Sequence, residues 1–256
     1  MIANYHTHTP RCRHAEGTEA EYVQAAFDAG LEILGFSDHT PYWFPGDYYS
    51  GHRMFPDQLG EYCDSVRKVQ KEYADKLQIH LGLEVEYYPA YFGELLSRLR
   101  DAGIEYILLG QHFLGNEINE PHGIHATEDE SRLRRYCDQV IEATQTGIFT
   151  YLAHPDMFNY VGDPKIYQRH IRRLCQEAKA CGVPLEINLL GIRTGRNYPN
   201  RMFWEVAAEE NCDCIIGCDA HFPRDITDTE AEQKALALVR DLGLHLMDTV
   251  KLRSIG

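Results

Sequence analysis

Apolar residues recur along this chain with two alternating periods. From Glu19 to Ala29 they fall at helical spacing (Tyr22, Ala25, Ala26, Ala29), with Thr18 placed to cap the start and Gly30 to stop the run. Leu31–Phe36 is then a short apolar run that reads as a buried strand and ends in the polar Ser37-Asp38-His39. The alternation continues to the C-terminal region. Strands are predicted at Met1–Tyr5, Leu31–Phe36, Leu77–Glu86, Ile104–Gly110, Ile148–Ala153, Val183–Leu189 and Asp213–Cys218. Helices are predicted at Glu19–Ala29, Asp57–Tyr73, Ala90–Ala102, Thr127–Thr146, Pro164–Ala180, Arg201–Asn211 and Thr229–Leu242. Pro56 suits the first helical position, where a missing N–H costs nothing. The Tyr-, Pro- and Gly-rich stretch Thr40–Phe55 follows neither period and reads as a long loop.

Seven strands alternating with helices, without a linker-like break, imply parallel strands joined by right-handed crossovers. The pattern permits a barrel or an open doubly wound sheet. The 256-residue length suits one large domain or two small ones. Composition narrows the partners. With 25 Lys and Arg against 39 Asp and Glu the formal charge is -14, which argues against a non-specific grip on nucleic acid or anionic membrane and leaves a small anion open. No apolar run reaches membrane-spanning length and the N-terminal residues lack a signal pattern, so a soluble, cytoplasmic protein is expected. The eight cysteines are expected to stay reduced, and the spacing of Cys212, Cys214 and Cys218 matches no common zinc pattern.

Candidate chemistry concentrates at the strand ends. His6 and His8 close the first strand, where alternate side chains share a face and converge. Asp38 and His39 end the second strand and Glu84 and Glu86 the third; His112 follows the fourth and His154 the fifth, Glu186 and Asn188 close the sixth, and Asp219 and His221 follow the seventh. In parallel barrels that end of the strands carries the active site. Imidazoles mixed with a few carboxylates suit Zn, Mn or Fe rather than Mg or Ca, and the ligands outnumber one coordination sphere. Such ions polarise phosphoryl oxygens and activate water, which points to phosphoester hydrolysis.

His6-Thr7-His8, His14, Ser37-Asp38-His39, Gly82-Leu83-Glu84-Val85-Glu86-Tyr87, Gly110-Gln111-His112-Phe113, Ala153-His154-Pro155-Asp156 and Asp219-Ala220-His221 together resemble the polymerase and histidinol phosphatase (PHP) family, its histidinol-phosphatase branch above all. The resemblance implies a distorted TIM-like barrel of seven β/α units over residues 1–256, with two or three divalent transition metals (Zn, Mn or Fe) at the C-terminal ends of the strands. It implies one ion on His6, His8, Glu84 and Asp219, a second on His14, His39 and His221, and a third on Glu84, His112 and His154, with Glu84 bridging. The catalytic candidates are Glu84, Asp219 and His221. The implied activity is hydrolysis of L-histidinol phosphate, a small-molecule phosphate ester. Another phosphate ester, phosphotyrosine protein or nucleic acid, or a regulatory role without turnover, stays open at this point, as does the oligomeric state. Arg193, in the segment after the sixth strand, is the candidate phosphate-binding residue, with Arg196 the weaker choice; the alternative for Arg193 is a solvated loop arginine. Asp38, pointing opposite to His39, is expected to support rather than ligate, and His52, His122 and His125 are expected to be solvated loop histidines. The aromatic cluster Tyr42–Tyr49 either closes over a ligand or packs on itself.

Overall fold

The computed structural model describes residues 1–256. Its strands are β1 (Ala3–Asn4), β2 (Ile33–Phe36), β3 (Gln78–Val85), β4 (Tyr106–Leu109), β5 (Phe149–Leu152), β6 (Leu185–Asn188), β7 (Asp213–Gly217) and β8 (His245–Leu246). The helices are α1 (Glu19–Asp28), α2 (Leu59–Glu72), α3 (Pro89–Asp101), α4 (Glu130–Gln145), α5 (Pro164–Ala180), α6 (Leu189–Thr194), α7 (Arg201–Glu209) and α8 (Thr229–Leu242). All strands lie in one parallel sheet, in the order of the sequence. The sheet curls until the chain beyond β1 meets the chain beyond β7, where Thr7 bridges Ala220 and the His8 amide donates to the Ala220 carbonyl at 2.9 Å. The result is the distorted barrel expected.

Most element ends shift by one or two residues from expectation, and three differences have a clear local reason. There are eight strands rather than seven: β8 pairs with β7 only at Asp213 and Cys214, and two residues are too short to leave a pattern. The fourth long helix starts at Glu130 and not Thr127, because the Asp129 carboxylate accepts the Ser131 amide while Thr127 is held in a bridge to Tyr160. Leu189 opens α6 instead of ending the sixth strand, since the Asn188 side chain accepts the Gly191 amide at 3.1 Å and turns the backbone into a helix. The reading of Thr18 holds: it forms a reciprocal cap with Glu21.

Inside the barrel, Tyr5, Tyr106 and Tyr151 fill the floor beneath the strand ends with Ala3, Leu108 and Ile215. The Tyr106 hydroxyl shares its one hydrogen between the carbonyls of Tyr5 (2.7 Å) and Phe36 (3.1 Å), so one side chain ties the ends of β1 and β2 from within. This ring fits only because its neighbours in β2 and β3 are Gly35 and Gly82, at each of which a Cβ would overlap it. The segment after β8 closes the floor from below, with Arg253 donating to the carbonyls of Cys181 (2.7 Å) and Gly182 (2.6 Å). We expect Gly82→Ala to cost about 1–3 kcal/mol through overpacking. Gly93→Ala, on the open face of α3 with nothing near its Cβ, should gain about 0.5–1 kcal/mol. Thermal unfolding of the two variants measures both; equal shifts would contradict this account of the floor.

Candidate metal centre

Each of β1 to β7 delivers its functional side chains near or just beyond its C-terminal end, Glu84 and Glu186 from within the last pairs of β3 and β6. At β1 the Asn4 side chain organises the exit: it donates to Thr7 Oγ1 (2.8 Å) and accepts the amide of Cys218 (2.9 Å), joining the first strand's end to the seventh's. His154 and Asp219 adopt positive φ of 30° and 46°, a conformation that costs energy for a residue with a Cβ and that persists here at the centre of the cluster. Gly110 makes room for Glu84, whose carboxylate a Cβ at residue 110 would strike.

The nine residues expected to gather do so. His6 Nε2 lies 3.6 Å from Glu84 Oε2 and 3.6 Å from Asp219 Oδ1, and His8 Nε2 lies 3.6 Å and 3.1 Å from the same two oxygens. Donor nitrogens of His14, His39 and His221 lie within 4.8 Å of one another. His154 Nε2 sits 2.8 Å and His112 Nε2 3.7 Å from Glu84 Oε1, while His39 Nδ1 is 2.8 Å from Oε2. Glu84 therefore touches all three groups. His6 Nε2, His8 Nε2, Glu84 Oε2 and Asp219 Oδ1 are buried and, close as His39 stands to Glu84 and His8 to Asp219, none makes an aligned hydrogen bond in the protein. Four buried polar atoms without partners, aimed at one point, would be costly unless something else fills it. A divalent cation fits that donor set.

The electrostatics agree. Burial works against the Glu84 carboxylate, yet the surrounding imidazoles, His6 among them, hold its pKa well below the usual range, and His6 and His8 do the same for Asp219. Asp219 is thus a carboxylate, suited to ligation and unsuited to donate a proton. Burial alone would lower His6, but Glu186, Asp219 and Glu84 outweigh it and raise its pKa well above ordinary histidine. His39 and His221, buried beside other imidazoles, are pushed well below, which keeps their lone pairs free.

Supporting residues orient these rings; Glu186, Asn188, Asp38 and Glu86 stand among the strand-end candidates of the sequence, whereas Arg53, Glu117 and Cys12 do not. Glu186 takes His6 Nδ1 at 2.8 Å, the His154 amide at 3.0 Å and Asn188 Nδ2 at 2.8 Å. Asp38, placed in support as expected, faces His8 Nδ1 at 3.4 Å and accepts from Thr9 Oγ1. Glu86 holds His112 Nδ1 at 3.2 Å and is itself fixed by buried Arg53 at 2.9 Å. Arg53 also grips Glu117, whose pKa is drawn down to about 2 against the effect of its burial by His52 and Arg53. Cys12 was not anticipated: its sulfur comes within 4.8 Å of ligand atoms of His8 and His221, and burial pushes the thiol pKa up.

A cavity of about 490 Å³ opens over the cluster. His52 and His122, expected to be solvated, both line it; His125 does not. Arg193 is also absent from its wall. That side chain turns under α6, donating to the Cys218 carbonyl at 3.0 Å and lying 3.3 Å from Asp225 and 3.7 Å from Asp228, so two carboxylates engage its charge within the fold. Arg196, past the end of α6, faces the cavity beside Tyr198. Asp156 fixes this segment by accepting the Asn200 amide (2.6 Å) and Trp204 Nε1 (2.9 Å), and its burial lifts its pKa to about 6. The aromatic cluster packs instead of closing over the site: Tyr42 meets Tyr88 at 4.9 Å, Phe44 meets Tyr91 at 5.4 Å and Arg98 lies 4.3 Å over Trp43.

Comparison with known proteins places this geometry. A probable histidinol-phosphatase of Deinococcus radiodurans is 32% identical over 251 residues, covering 94% of each chain. The histidinol-phosphatase of Bacillus subtilis is 24% identical over 255 residues, 86% of this chain and 94% of that protein. The crystal structure of histidinol phosphate phosphatase from Lactococcus lactis, complexed with zinc, L-histidinol and phosphate, superposes with a TM-score of 0.75 at 20% identity, over 99% of this chain and 97% of that one. Residues 4–189 match the PHP domain, a span that takes in His6 to Asn188, and on that match and the similarity to the Deinococcus protein the chain belongs to the PHP domain family.

Proposed function

We propose that this protein is a metal-dependent phosphomonoesterase that hydrolyses L-histidinol phosphate to L-histidinol and phosphate, in histidine biosynthesis. The observation that carries the reading is the convergence of His6, His8, Glu84 and Asp219 on one point with four buried atoms unsatisfied. The names of the Deinococcus and Bacillus relatives support the substrate, and zinc, histidinol and phosphate in the Lactococcus structure support both substrate and metal. His6, His8, Glu84 and Asp219 would hold one ion, His14, His39 and His221 a second, and His112 and His154 with Glu84 a third; zinc is the first choice, with manganese or iron the alternatives. No helix is long and apolar enough to cross a membrane, which fits a cytoplasmic enzyme of small metabolites.

Bound divalent ions supply Lewis acidity toward the phosphoryl oxygens and an activated water. The protein's own part is geometric and electrostatic. Glu186, Asp38 and Glu86 hold the imidazoles in fixed orientations, so little reorganises when charge develops. The cavity lining contains no serine, threonine or cysteine, and its one hydroxyl group, that of Tyr198, accepts from Arg196 at 2.7 Å, which supports direct attack by water over a phosphorylated hydroxyl or thiol. Arg196 takes the phosphate-binding role in this proposal, because its guanidinium is at the wall whereas that of Arg193 is spent on Asp225 and Asp228.

The direct test is phosphate release by metal-reconstituted protein from L-histidinol phosphate, sugar phosphates, phosphotyrosine and nucleotides, with metal content measured on the same samples. Histidinol phosphate should be turned over fastest; no release from it, with release from another ester, would overturn the substrate. In the same assay Glu84→Gln should lose metal and activity together. Glu86→Gln, which disturbs the orientation of His112 and the buried ion pair with Arg53 but removes no proposed ligand, should cost about 10–100-fold. Equal effects would remove Glu84 from its bridging position. Arg196→Ala should lose about 1.5–3 kcal/mol in kcat/KM and in phosphate affinity with metal content intact. Arg193→Ala should lower thermal stability and leave phosphate affinity unchanged; the reverse pattern would return the role to Arg193.

A further inference from the structure

Two cavity histidines remain once the nine proposed ligands are set aside. His52 has no nitrogen to offer: Nδ1 faces the Ser50 hydroxyl at 3.4 Å, and Nε2 lies 3.3 Å from Arg53 Nη2 and 3.4 Å from Glu117 Oε2. His122 differs. Its Nδ1 accepts the Ile124 backbone N–H at 3.1 Å, and a nitrogen that accepts an amide carries no hydrogen, so this bond assigns the neutral tautomer with its hydrogen on Nε2. Nε2 makes no hydrogen bond within the protein and is not buried, and the residue lines the cavity.

The ring is also held in place. Phe113 and His122 form an antiparallel bridge, the Gly123 amide donates to the His112 carbonyl at 2.7 Å, and the Asn159 amide donates to the Gly123 carbonyl at 2.9 Å. Asn159 Nδ2 then donates to the Ile124 carbonyl at 3.1 Å, fixing the residue whose N–H sets the tautomer. The His122 ring lies 5.0 Å edge-to-face from Phe113 and 5.3 Å from the ring of His112. A fixed, neutral donor therefore stands at the border between the metal cluster and the open cavity, where the organic half of a phosphate ester must lie.

Building on the phosphomonoesterase reading, we propose that His122 is a specificity-determining residue whose Nε2–H donates a hydrogen bond to the leaving group, favouring esters that carry a ring nitrogen acceptor over purely aliphatic ones. The unprotonated nitrogen of an imidazole offers such an acceptor in the plane of a flat ring, and Tyr198, Phe222 and Leu190 supply apolar cavity surface for the ring itself. A neutral donor leaves the phosphate to the cations around it. A site built to hydrogen-bond one substrate loses selectivity when its donor is removed.

The experiment compares metal-loaded wild type, His122→Phe and His122→Gln on L-histidinol phosphate and on glycerol phosphate, with inorganic phosphate as inhibitor. His122→Phe keeps a flat ring without the donor and should lower kcat/KM for histidinol phosphate about tenfold or more, with glycerol phosphate turnover and phosphate inhibition within about twofold of wild type. His122→Gln keeps an N–H donor and should recover part of the loss. A parallel loss on both substrates, or a weakened phosphate inhibition, overturns the proposal, because contact with the phosphate or a purely structural role gives that result; unchanged selectivity overturns it as well. Wild-type protein that hydrolyses glycerol phosphate and not histidinol phosphate is a separate outcome: it overturns the proposed function, and this inference with it.

Discussion

One buried carboxylate organises this molecule. Glu84 is 1% exposed; His39 and His154 face it at 2.8 Å, while His6 and His8 stand 3.6 Å and His112 3.7 Å away. A charged group in that position is tolerable only with compensating charge, which in the metal-free protein falls to the raised histidines and with metal bound to the ions themselves. The need to bring those rings to Glu84 explains features that sequence propensity would not favour. Glycine stands at residue 110, where any side chain would displace the carboxylate. His154 and Asp219 accept a left-handed backbone in order to point inward.

The rigid part of the design lies beneath and behind the cluster. The tyrosine floor locks β1 and β2 through Tyr106, and Asn4 locks the end of β1 to that of β7, so the two histidines of the first strand start from a fixed base. Behind the rings, Glu186, Asp38 and Glu86 are satisfied by backbone amides and side chains, unlike the four inward atoms that are left without partners. This contrast distinguishes a site built for a guest from a buried polar core. The supporting carboxylates are engaged from behind, and the four inward atoms left open share a focus.

Much of this was legible in the sequence because strand periodicity and strand ends leave clear traces. His6, His8, Glu84 and Asp219 sit where apolar runs stop, and a parallel barrel brings such positions to one end. What stayed hidden depended on side-chain direction or on very short elements. Leu189 continues the apolar run of the sixth strand and reads as its end, and only the Asn188 cap shows that it opens a helix. That helix turns Arg193 toward Asp225 and Asp228, and Arg196, three residues on, is the one left facing the cavity. Glu186 lies within a predicted strand, but its task of steering His6 and His154 arises from contacts with residues more than thirty positions away. His122 and His52 sit in irregular segments, where sequence gives no face at all.

The central claim is that the imidazoles and carboxylates around Glu84 form a metal site with that residue as the shared ligand. Anomalous diffraction from crystals of the metal-loaded protein, recorded on both sides of the metal's absorption edge, tests it most directly. The account predicts an anomalous peak among His6, His8, Glu84 and Asp219, and at least one more on the opposite side of the same Glu84 carboxylate. Peaks that leave Glu84 outside every coordination sphere, or no peak in the cavity at all, would contradict it.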